Sequence, residues 1–130
     1  MKNIITWGLI LTCVFGLIGC GKQAEPIVLP AVDEIESVNI TTLDSSEISY
    51  FDEEWIEHFV GILTKAKATF KESVQDAPNV ESYGKVDISC NDKVSTIFYY
   101  TEDGKYYIEQ PYQGIYTTDV DIDALIKGVE

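Results

Sequence analysis

Few groups in this 130-residue chain could carry catalysis: one histidine, three cysteines and 22 carboxylates. A Ser-His-Asp or Cys-His constellation would have to use His58, because a neutral nucleophile needs a base beside it. Helical spacing sets His58 on the flank away from Trp55, Phe59 and Leu63, so an exposed surface imidazole is expected. Neither Gly-x-Ser-x-Gly, His-Glu-x-x-His nor Cys-x-x-Cys occurs. No spacing among the acids singles out the carboxylate pair of a glycoside hydrolase. Asp119, Asp121 and Asp123 fit the first, third and fifth places of a calcium loop, but Ala124 stands where its turn requires glycine. The same residues also make the capped start of a terminal helix. No catalytic residue, metal or cofactor is expected.

The cysteine that does point to chemistry is Cys20. It closes the run Leu17-Ile18-Gly19-Cys20, preceded by apolar sequence from Ile4 and by Lys2 near the amino terminus. A basic start, an apolar core and a small residue before the cut are the parts of a secretory signal. The four-residue run resembles the lipobox of bacterial lipoproteins. That resemblance implies alkylation of the Cys20 thiol by a diacylglyceryl group and removal of residues 1–19. Ile4 to Ile18 is 15 residues, short of the roughly 20 that a membrane-spanning helix needs. The expectation is a lipid-anchored chain on the extracytoplasmic face of the cell membrane. Cys13 leaves with the signal, and Cys90 then has no disulfide partner. Strand alternation groups Cys90 with Val86 and Ile88, which predicts a buried, inert thiol.

Charge narrows the partners. Formal net charge is −13, and the chain has no arginine. Loss of Lys2 with the signal leaves eight lysines against 22 acids. Nucleic acid is excluded as a partner, since its affinity comes mainly from basic side chains on phosphates. The acidity otherwise implies a well-solvated surface, with attraction of cations or basic peptides as the sharper alternative.

The elements follow from periodicity. Pro26 and Pro30 make residues 20–34 a flexible tether carrying the lipidated cysteine, and a single globular domain is expected over 35–130. Alternation predicts a hairpin over residues 38–51, and Asp52 caps a helix whose Trp55, Ile56, Phe59, Ile62, Leu63 and Ala66 share a face. Lys65 and Lys67 lie at its negative end. A long loop follows at 69–79, then strands at 86–90, 94–100 and 105–110. Ile115-Tyr116-Thr117 suits one more short strand, and a short helix closes the chain from Val120. The fold class expected is α+β: an antiparallel sheet of about five strands, one long helix packed on one face and a short C-terminal helix.

Asp103-Gly104 sets the register of the last hairpin, pairing Tyr100 with Tyr107 and Tyr99 with Ile108. Ile97, Tyr99, Tyr106 and Ile108 then face the helix. Phe98, Tyr100 and Tyr107 fall on the other face, where with Tyr112 they are the expected ligand surface, since rings with polar tips suit sugars or peptides.

The runs Lys71-Glu72-Ser73-Val74-Gln75-Asp76-Ala77-Pro78-Asn79-Val80 and Lys105 to Tyr116 (KYYIEQPYQGIY) resemble an uncharacterised family of small surface lipoproteins from Gram-positive Firmicutes, a domain of unknown function. The likeness covers residues 34–127 and implies an envelope location without an activity. Three classes of function stay open. The leading one is a non-enzymatic module binding an envelope protein, a peptide or a cell-wall ligand. The others are an inhibitor or sensor of a membrane enzyme, and a hydrolase.

Overall fold

A computed structural model describes residues 25–127. The signal segment and the lipid-attachment residue Cys20 lie outside the described residues. Strands β1 (Ile35–Thr41), β2 (Glu47–Tyr50), β3 (Lys67–Ala68), β4 (Gly84–Cys90), β5 (Lys93–Glu102), β6 (Lys105–Gln110) and β7 (Gly114–Thr118) form one sheet. Helix α1 spans Glu53–Thr64, and α2 spans Ile122–Ile126. The strand order is β2-β1-β4-β5-β6-β7-β3, antiparallel at every pairing.

Seven strands replace the expected five. The sheet dominates the fold, and the one longer helix has 12 residues. β3 escapes a pattern reading because two residues cannot show alternation. It is defined by pairing of Lys67 with Thr117 and Ala68 with Tyr116, contacts distant in sequence. β7 is a full member of the sheet, paired to β6 from Tyr106↔Thr118 to Gln110↔Gly114.

Local chemistry explains the elements that were legible. The Asp52 carboxylate accepts the Trp55 N–H at 3.0 Å, capping α1, an interaction whose loss typically costs about 1 kcal/mol. Asp103 and Gly104 both take positive φ (52° and 76°), as a tight two-residue hairpin demands. Tyr100 pairs with Tyr107 and Tyr99 with Ile108 in the expected register.

One face of the sheet carries the main core. Ile56, Phe59, Val60 and Leu63 of α1 pack onto Val38, Ile40, Val86, Ile88, Ile97 and Ile108, and α2 closes one end with Ile122 and Ile126. Each such side chain, fully buried, contributes roughly 1.5–3 kcal/mol. The α1 stripe includes Val60 and leaves Trp55 at its margin, stacked between Tyr50 and Phe59. Cys90 is buried, with Glu34 at 3.9 Å from its sulfur. Burial, reinforced by the Glu34 and Glu36 charges, pushes its thiol pKa up.

Residues 25–34, expected within the tether, lie on the domain. The Gln110 side chain accepts the Val28 N–H at 2.7 Å and donates to the Val28 carbonyl at 2.6 Å, as a neighbouring strand would. Gln113 donates to the Pro26 carbonyl at 3.0 Å, and the Tyr116 hydroxyl donates to that of Glu25. Ile27, Leu29 and Val32 pack on the main core. Val32–Glu34 forms a 3-10 turn that meets the start of α1.

Gly84 is required by its cross-strand neighbour. The Tyr99 ring lies over it, and a Cβ there would sit 2.1 Å from ring carbon. The ring thereby reaches α2, where Tyr99 donates to Asp123 at 2.7 Å.

Two outcomes follow. Gly84→Ala should destabilise the domain by about 1–3 kcal/mol through overpacking, read as a fall in the urea midpoint without a change of slope. Cys90 should resist a thiol reagent in native protein and react in denaturant; rapid native labelling would contradict its burial.

Candidate functional site

The second face of the sheet is the place to look for the tyrosine surface, and it is covered. Residues 69–83 cross it without regular structure. Beneath them Phe98, Tyr100 and Tyr107 are only 5%, 7% and 8% exposed, with Ile115 clustered with the two tyrosines and Val80 packed against that cluster. The open face expected at Phe98, Tyr100 and Tyr107 is therefore an interior layer, because alternation leaves these rings on a face that only this loop can shield. Tyr112 alone of the four is exposed, and its hydroxyl donates to Asp76 of the loop at 2.7 Å.

The loop is held by polar contacts to a buried acid. Glu109 is 1% exposed, and its carboxylate accepts from the Ser73 hydroxyl at 2.7 Å and, more weakly, from Tyr100 at 3.4 Å. Tyr100 and Tyr107 stack with centroids 5.5 Å apart. The Lys71 ammonium lies 5.0 Å from the Tyr107 ring and pairs with Glu102 at 3.8 Å. Tyr83 meets Phe98 edge to face. This layer works as a fastening. No buried side-chain nitrogen or oxygen lacks a partner among the described residues.

The remaining sequence candidates separate in space. His58 is exposed on α1. Asp121 caps α2 by accepting the Ala124 N–H at 3.1 Å. Asp123 is engaged by Tyr99, by the Leu43 N–H at 3.3 Å and by Lys127 at 3.0 Å. Burial alone would raise the Asp123 pKa, but these partners hold it below the ordinary value. Asp121 and Asp123 thus serve helix capping and docking, while Asp119 is exposed.

Open concave surface occurs at the end of β7. A cleft of about 410 Å³ lies between the last turn of α1 and the strand end, walled by Ile62 and Val120 and flanked by Lys65 and Lys67. A second, of about 350 Å³, lies on the hairpin side against Tyr106 and Lys105. Both are floored by Thr117, Thr118 and Asp119. None of the three lysines forms an ion pair among the described residues, whereas Lys71, Lys85 and Lys127 do. Sequence reasoning assigned Lys65 and Lys67 to the helix dipole and gave Lys105 no role. Only the β3–β7 and β6–β7 pairings bring them around one strand end, although their scarcity in an arginine-free chain was visible.

Residues 23–117 match the family DUF5301, described as "Domain of unknown function (DUF5300)". The chain belongs to this family. It is also similar to a protein from Ruminococcus gnavus solved by NMR, at 37% identity and a TM-score of 0.70, covering 78% of this chain and 100% of that one. Comparison with curated proteins finds no match.

Ser73→Ala should cost about 1.5–3 kcal/mol by removing the strong donor to a buried carboxylate, and should raise protease sensitivity within 69–83 before global unfolding. Burial, and then the Glu109 charge, pushes the Tyr100 phenol above its ordinary range; burial, and then the bond to Asp123, does the same for Tyr99. Groups with raised folded pKa stabilise fully below the unfolded value, about 10 for tyrosine, and that stability is lost as pH rises from there through the higher folded value. Tyr100→Phe should therefore flatten the alkaline decline in stability, measured by urea unfolding across pH.

Proposed function

We propose that this protein is a lipid-anchored extracytoplasmic domain, held at Cys20, that acts as a non-enzymatic binding module through the clefts at the end of β7. The Leu17-Ile18-Gly19-Cys20 run supports the anchor. The single observation that favours a binding module is the pair of open clefts sharing Thr117, Thr118 and Asp119. Catalysis finds less support: the sole histidine is exposed on α1, away from the Glu109 layer and unassociated with either cleft.

The docked N-terminal segment bears on how such an anchor would act. With residues 25–34 on the domain, Cys20 and Glu25 can be separated by about 17 Å at most, so a lipid at Cys20 would keep the domain near the bilayer. The first cleft lies at the C-terminal end of α1, whereas Val32 and Asp33 of the 3-10 turn lie beside Glu53 and Ile56 at its start. A second reading, inhibition or sensing of a membrane enzyme, draws on Phe70 and Val74, each 69% exposed on the loop.

Replacing Cys20 by Ser removes the nucleophile for lipidation. Membrane association should then be lost, or uncut precursor should accumulate, in fractionated cells. Unchanged processing, mass and membrane retention in Cys20→Ser would overturn the anchor.

A further inference from the structure

The residues lining the two clefts together hold three lysines against one carboxylate, a local excess of cations on an acidic chain. Of the eight lysines after the signal segment, three line this one strand end, in a chain with 22 acids and no arginine. A free ammonium is a compact point charge that suits phosphate, while planar two-point recognition of carboxylate is the province of arginine. Lys65 and Lys67 stand on one side of the Thr117–Asp119 floor and Lys105 on the other. The Thr117 hydroxyl, on the face its cross-strand partner Lys67 shares, can donate to the same anion.

Asp119 is the exception within this basic rim, exposed on the floor common to both clefts. A carboxylate there would repel a bare polyanion, but it accepts hydrogen bonds from hydroxyls. Ile62 and Val120 on one side, and the Tyr106 ring on the other, supply the apolar contact that the carbon face of a sugar takes. Cations for a phosphate, an acceptor for hydroxyls and an aromatic wall thus occur side by side.

We infer that the clefts at the end of β7 bind a phosphorylated, hydroxyl-bearing ligand of the sugar-phosphate class, with Lys65 and Lys67 of the first cleft taking the phosphate and Asp119 of the shared floor the hydroxyls. This rests on the proposed binding role of the same clefts, and it names the ligand chemistry. It does not depend on the anchor, because the site lies wholly within residues 62–120.

The test uses the full-length Cys20→Ser chain, so that failure of lipidation cannot be mistaken for failure of the site. Chemical-shift or calorimetric titration with glucose 6-phosphate, inorganic phosphate and glucose separates the contributions. Saturable binding of glucose 6-phosphate is expected, weakening with salt and tighter than binding of either component. Lys65→Gln with Lys67→Gln should weaken it by at least about tenfold, the scale of one lost charge-assisted hydrogen bond. Lys85→Gln with Lys93→Gln changes net charge equally away from the clefts and should leave it unchanged. Asp119→Asn should narrow the preference for glucose 6-phosphate over inorganic phosphate. Absence of saturable binding, or equal weakening by the two lysine pairs, would overturn the inference. Binding of glucose without preference for its phosphate would overturn the ligand class while leaving a binding module.

Discussion

The bond from Ser73 to the buried carboxylate of Glu109 marks the constraint on which the fold turns. Side chains alternate along a strand, so the aromatic residues of β5 and β6 must divide between two faces. Helix α1 can cover only one of them. The other holds Phe98, Tyr100, Tyr107 and Glu109, and leaving it wet would forfeit the burial that a domain of this size needs. Residues 69–83 supply the cover, and an acid in its midst is tolerable because two hydroxyls donate to it. A hydrogen bond to a charged group contributes about 1.5–3 kcal/mol, enough to hold a segment that has no ladder of its own.

Covering the first face also takes more than a helix. Residues 25–34 lay Ile27, Leu29 and Val32 against the core, and Gln110 replaces a missing strand by bonding both polar groups of the Val28 backbone. At the other end Tyr99 passes over Gly84 to Asp123, which also takes the Leu43 N–H and the Lys127 ammonium. One carboxylate therefore ties β5, the β1–β2 connection and α2 together. Glu109 and Asp123 are both committed to holding the sheet's coverings in place.

What the sequence determined by itself was local. Asp52 announced the start of α1, and Asp103-Gly104 fixed the hairpin register, because capping and positive φ are decided by a few adjacent atoms. Period-two alternation sorted Ile97, Tyr99 and Ile108 from Phe98, Tyr100 and Tyr107, and placed Cys90 with Val86 and Ile88. The tertiary structure decided everything that depends on what lies opposite a face. It made β3 a strand through pairing with β7, laid the proline-containing segment on the core and turned the tyrosine surface into an interior. It also gathered Lys65, Lys67 and Lys105 at one strand end. The physical reason is that alternation says which residues share a side but carries no information about the partner across it. That partner is set by contacts between segments remote in sequence, such as Ser73 and Glu109, 36 positions apart.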